Sequence, residues 1–173
     1  MQTFLTLVAI ALIVWLVVQQ WRGWNRPPRQ TLERFPEPPT ELSGPAGAAL
    51  LPAIEGVYLG MSMAGDWRDR ITVGDVGQRA TAMLHLSGAG LLVDRASAGP
   101  LWIPAEAVRG ARTARVQAGR PVGGADLVIT WQLGGRLLDC VFRADDDAAY
   151  PDWIATLRAM AARRRGRNNG AAA

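Results

Sequence analysis

Hydrophobic positions are distributed along this chain in three different ways. Residues 4–18 (FLTLVAIALIVWLVV) form an apolar run without a single charge. Taken from Met1 to Trp21, the run would make a helix about 30 Å long at roughly 1.5 Å per residue, which matches the hydrocarbon core of a bilayer. It predicts a membrane anchor over residues 1–24. A cleaved secretory signal would need a basic start and small residues at a cleavage site. Met1, Gln2 and Thr3 supply no base, and the bulky Trp21 and Trp24 follow the run. Both indoles suit the interfacial belt, with the ring in apolar surroundings and the N–H wet.

The second pattern is polar and proline-rich. Residues 25–53 carry Pro27, Pro28, Pro36, Pro38, Pro39, Pro45 and Pro52, which predicts a semi-rigid, extended spacer.

From Ile54 the pattern changes to short apolar runs separated by glycine and polar turns, the spacing of an antiparallel β domain. A first strand is expected over 57–62. Over 79–86 the alternation puts Ala80, Ala82, Leu84 and Leu86 on one face and Arg79, Thr81, Met83 and His85 on the other. The turn at Ser87, Gly88, Ala89 and Gly90 leads into 91–95. Further strands are expected over 101–104, 111–117, 127–132 and 136–143, the last two hinged at Gly134 and Gly135. The period then becomes helical. Asp145, Asp146 and Asp147 offer a cap, Pro151 fits a first turn, and Trp153, Ile154, Leu157, Met160 and Ala161 make one apolar stripe. The expected architecture is mainly β: one N-terminal transmembrane helix, then an antiparallel barrel or sandwich of about seven strands over 54–162, capped by a C-terminal α-helix. Residues 163–173 are expected to be a disordered basic tail.

Charge orients the anchor. Arg22, Arg26, Arg29 and Arg34 follow the span and nothing basic precedes it, so the positive-inside rule predicts an outward N-terminus and a cytoplasmic domain at the cell membrane. The net charge of +4 resides in the tail. Residues 54–157 carry ten arginines against twelve acids, whereas 158–173 carry five arginines and no acid. The folded part therefore lacks the footprint of a nucleic-acid binder. Arg163, Arg164, Arg165 and Arg167 could each gain about 1 kcal/mol beside anionic lipid, and with Trp21, Arg22, Trp24, Arg26 and Arg29 they are the candidate lipid-proximal residues. The single cysteine, Cys140, agrees with a reducing compartment.

Catalytic constellations are missing. His85 is the only histidine and lies on a polar strand face without a nucleophile motif. Cys140 shares the inward parity of Leu138 and Phe142. Three adjacent aspartates suit a cap better than a metal loop, which uses alternate positions. Gly119, Gly123 and Gly124 lack the spacing of a phosphate-binding loop. No catalytic residue, cofactor or metal is expected.

The run Leu86, Ser87, Gly88, Ala89, Gly90, Leu91, Leu92, followed by Leu101, Trp102, Ile103, Pro104, Ala105, Glu106, Ala107, Val108, with about seven strands and a capping helix, resembles the bacterial pleckstrin-homology-like (PH-like) domain. With its anchor, the chain is similar to small actinobacterial membrane-anchored proteins carrying such a domain. The resemblance implies a membrane-anchored binding or scaffold module that presents a cytoplasmic domain to a protein partner. The alternatives are a structural accessory subunit of a larger membrane complex, or recognition of anionic lipid through the arginine-rich tail. Specific phosphoinositide binding is not expected, because Arg68 and Arg70 alternate with Asp66 and Asp69 and are read as surface pairs. The candidate partner surface is the turn of Leu101, Trp102, Ile103 and Pro104 with Arg112 and Arg115, since aromatic and arginine side chains dominate binding energies. Trp102 in the core is the alternative.

Overall fold

A computed structural model describes residues 35–39, 47–115 and 124–170. The chain divides into two units, Met1–Thr31 and Leu32–Ala173, and every described residue belongs to the second. The expected anchor at 1–24, with Trp21, Arg22, Trp24, Arg26 and Arg29, lies outside the described residues. Among those described, no helix is long and apolar enough to cross a membrane.

Eight strands form one antiparallel sheet: β1 (Ile54–Met63), β2 (Asp66–Arg70), β3 (Ala80–Leu86), β4 (Gly90–Arg95), β5 (Leu101–Pro104), β6 (Val108–Ala114), β7 (Asp126–Leu133) and β8 (Arg136–Ala144). Their order is β5-β4-β3-β1-β8-β7-β6, with β2 paired to the end of β1. A 3-10 turn (Ala105–Ala107) links β5 to β6, and helix α1 (Tyr150–Gly170) packs on β6 and on that turn.

The inward faces follow the alternation in the sequence. Ala80, Ala82, Leu84 and Leu86 are buried while Thr81 and His85 are exposed, and Leu127, Ile129 and Trp131 meet Leu138, Cys140 and Phe142 in one core. The stripe of α1 closes that core with Trp153, Leu157 and Ala161. Asp146 accepts the Ala148 N–H at 2.9 Å; the cap thus serves a 3-10 turn (Asp147–Ala149) that precedes the helix. Arg158 Nε donates to the Ala111 carbonyl at 2.9 Å, which satisfies an acceptor on β6.

Strand β1 serves both halves of the sheet. Its first residues pair with β3 and its whole length runs beside β8, where the register slips between Tyr58 and Gly60. Leu59 is the extra residue of this bulge. Gly60 follows it at φ +119°, a conformation that side-chain-bearing residues rarely adopt. The bend lets the far end of β1 leave β3 and carry β2.

Four expectations need correction. Strand β2 adds an eighth element where a loop was expected; none of its five residues is buried, so no hydrophobic alternation announced it. The spacer does not extend to 53: Phe35 packs against the core and lies 6.1 Å from the Trp131 ring, and the Leu50 N–H bonds the Leu86 carbonyl. The basic tail is helical through Gly170, because the helix is already nucleated on the domain and the arginines, good helix formers, carry it on through Gly166, Asn168 and Asn169. Strand β6 begins at Val108 rather than at 111, its pattern hidden by a register shift that leaves Arg109 as the extra residue between Val108 and Gly110.

One end of the sheet is closed by a buried cation. Arg95, with its side chain 2% exposed, donates to the Gly99 and Asp75 carbonyls and pairs with the Asp75 carboxylate at 3.0 Å. Its guanidinium lies 5.3 Å from the Tyr58 ring centroid, and Tyr58 OH donates to the Val76 carbonyl. The segments after β2 and after β4 are thereby tied together.

Candidate functional site: the groove beneath Trp67

The outer face of the β1-β8-β7-β6 half is apolar at its centre. Leu59, Val128 and Val141 form a cluster separate from the core, with Val57 and Ala114 against it. Such a face is ordinarily polar on a sheet with one side to solvent. The β1–β2 hairpin folds Trp67 beside it, and the indole remains 50% exposed. Between Trp67 and β6 lies a groove of about 300 Å³, with Val128 and Val141 at its base, Ser62 and Gly65 on one wall, and Arg112 and Arg115 on the other. It continues past Ser62 and Trp67 into a small recess of about 60 Å³ lined by Leu59, Gly60 and Arg70.

Asp139 organises the polar part. It accepts from Arg112 Nη2 at 2.7 Å, from the Thr130 hydroxyl at 2.6 Å and from the Gly65 N–H at 3.2 Å. Arg112 also donates to Thr130 Oγ1 at 2.8 Å. Burial alone would raise the Asp139 pKa, but the donors from Arg112, Thr130 and Gly65 outweigh it and hold the carboxyl below its ordinary value. The carboxylate is therefore saturated, and it fixes the hairpin turn, β7 and β6 to one another. On β2, Arg68 lies 5.4 Å from the Trp67 ring centroid and Arg70 donates to the Leu59 carbonyl at 2.8 Å. These two arginines therefore support the groove's rim rather than only balancing their aspartate neighbours.

The turn expected to bind a partner is elsewhere. Leu101, Trp102 and Ile103 are buried and Pro104 is partly buried, in edge strand β5. Gly90 on the facing strand explains the burial of Trp102: a Cβ there would come within 2.8 Å of the indole, so the missing side chain is the space the ring fills. Arg112 and Arg115 belong to the opposite end of the strand order and face Trp67 instead. Cys140 is buried, and burial pushes its thiol up to about 12, which fits a core residue.

Two other grooves lie elsewhere on the domain. One of about 480 Å³ runs beside α1, lined largely by small residues (Gly88, Ala105, Ala155, Ala159) with Leu50, Met160 and Arg163. Another of about 330 Å³ lies on the β1-β3-β4 half and carries Glu55, Asp94 and Asp145. Among the described residues no set of three His, Cys, Asp or Glu side chains is placed to hold a metal. Arg163 is exposed and Arg164 half-buried on α1; Arg165 and Arg167 have side chains outside those described.

A long antiparallel sheet rolled around a core and closed by a C-terminal helix is a PH-like arrangement, and the family model for bacterial PH domain-like proteins matches residues 32–158. The chain belongs to the bacterial PH domain-like family. No curated protein matches it. The matched span begins upstream of Ile54, in agreement with the packing of Phe35 on the PH-like core. PH-like domains are typically binding or scaffold modules rather than catalysts, and the groove here offers apolar surface, an indole and arginines. Sequence reasoning named Arg112 and Arg115 but missed Trp67, Thr130 and Asp139. The available signal was a tryptophan set among alternating charges in DWRDR, where core burial is impossible on either face.

Proposed function

We propose that the chain is a membrane-tethered, non-catalytic PH-like module that presents its domain to a protein partner on the cytoplasmic side. The observation that carries the binding role is the half-exposed Trp67 standing over an apolar sheet face with arginines opposite. A tryptophan is costly to leave in water, and paired indole and arginine anchors dominate interface energies. The uncharged run at 4–18 supports the tether, and the four arginines that follow it support the orientation.

Two measurements on the full chain test this reading. Alkaline washing of membranes should leave the chain in the pellet, and a reporter active only in the cytoplasm should be active when fused at Ala173. Recovery in the wash, or activity of a periplasmic reporter in its place, refutes the tether or the orientation. Trp67→Ala should abolish partner capture with the melting temperature nearly unchanged; undiminished capture refutes the binding face.

A further inference from the structure

We infer that the groove beneath Trp67 takes an acidic peptide segment, with one apolar side chain against the indole and Val141, and carboxylates meeting Arg112 and Arg115. This deepens the binding-module reading and rests on it. Charge complementarity selects the occupant. Three arginines, Arg70, Arg112 and Arg115, line the groove and its recess against one acid, Asp139. That acid already accepts from Arg112, Thr130 and Gly65, so it has little left to offer a cationic ligand. Arg115 is exposed and takes part in no ion pair among the described residues. Arg112 keeps a side chain 44% exposed, and a guanidinium has five N–H donors, more than Asp139 and Thr130 use.

Shape narrows the class further. The floor of the groove is recessed, with Val128 1% and Val141 7% exposed below a Trp67 that is 50% exposed, so a narrow side chain can lie against the indole and the edge of Val141 where a flat lipid surface does not enter. The groove is open along its length, which buries too little of a small ligand and suits an extended segment.

The test uses the full chain in mild detergent and three fluorescent eight-residue probes: glutamates around a central Leu-Phe pair, lysines around the same pair, and glutamate alone. The first probe should bind about tenfold more tightly than either of the others, and Arg115→Glu or Trp67→Ala should each weaken it about tenfold. Both side chains project into solvent, so melting temperatures should hold, which separates lost recognition from lost fold. Arg115→Glu should also gain affinity for the lysine probe. Equal binding of the lysine and glutamate probes, no binding of the first, or indifference to both variants overturns the inference. So does displacement of the first probe by phosphatidylglycerol vesicles, which assigns the face to lipid, or a dimer that Trp67→Ala abolishes, which assigns it to a second copy. Photo-crosslinkers placed at Trp67 and at Leu50 in native membranes distinguish the two levels. Labelling of a partner's acidic segment from position 67 supports both; labelling from position 50 alone overturns the groove and leaves the module; labelling from neither overturns both.

Discussion

Replacing Arg112 by alanine should destabilise the domain more than replacing its partner Asp139 by asparagine. The reason is an asymmetry in exposure: the Asp139 side chain is 6% exposed and that of Arg112 is 44% exposed. Arg112→Ala strands a buried carboxylate, and breaking a buried pair in that way costs about 3–5 kcal/mol. Here Thr130 and Gly65 still donate to it and the vacated groove admits water, so about 2 kcal/mol is expected. Asp139→Asn leaves a guanidinium that is already half in solvent and rehydrates, for about 1 kcal/mol. Acid should distinguish the two further. In the parent protein Asp139 is held below its ordinary pKa, so its contribution is present above about pH 4 and is lost as pH falls through that lowered value. Without Arg112, burial is less opposed, the carboxyl moves up, and protonation relieves the penalty sooner. The stability gap between parent and Arg112→Ala is therefore widest at neutral pH and closes on acidification. Urea unfolding of the full chain, followed by tryptophan fluorescence at pH 7 and near pH 4, measures it. An Arg112→Ala cost smaller than that of Asp139→Asn, or a gap independent of pH, would show that Arg112 is not what keeps the buried Asp139 carboxylate charged.

Other outcomes follow from the same structure. Arg95→Met should cost about 2–4 kcal/mol and speed amide exchange around Gly77 and Gly99, since it removes the donors to Asp75 and Gly99; unchanged exchange there would mean that other contacts hold those loops. The Cys140 thiol, pushed up to about 12 by burial, should react with a disulfide reagent at pH 8 only through unfolding, so modification faster than the urea-extrapolated unfolding rate would contradict a core position. Phe35→Ala should lower stability by about 1–2 kcal/mol, roughly half the cost of a fully buried ring. A chain starting at Leu50 should accordingly melt below one starting at Leu32, and equal melting points would show that the Phe35 contact is idle.

The parts legible in the sequence are those whose burial repeats along the chain. Strand β3 and the stripe Trp153, Leu157 and Ala161 each bury a regular face, so local periodicity located them. Strand β2 was not legible because pairing with the end of β1, not burial, makes it a strand. Trp102 is open in the sequence between a surface and the core that its flanking Leu101 and Ile103 suggest; Gly90, whose missing side chain makes room for the indole, decides for the core. The groove suffered most, since Ser62, Trp67, Arg112 and Asp139 come from four strands and meet only through register. Arg112 and Arg115 are candidates on chemical grounds; the turn that precedes them in sequence is the companion the sequence suggests, whereas the sheet brings them β1, β2 and β8.

Strand β1 is the first of the domain to be made and pairs along its length with β8, the last. During synthesis, β3, β4 and β5 can zip together as soon as they emerge, because their contacts are local. The second half of β1 has to wait for almost the whole chain, and the entropy of closing that span precedes any return from it. Until β8 arrives, Leu59 and Met61 lack the neighbour that covers them, and the open flank is adhesive. The slow step of folding is thus written into the strand order: closure begins at one end of the chain and is completed from the other.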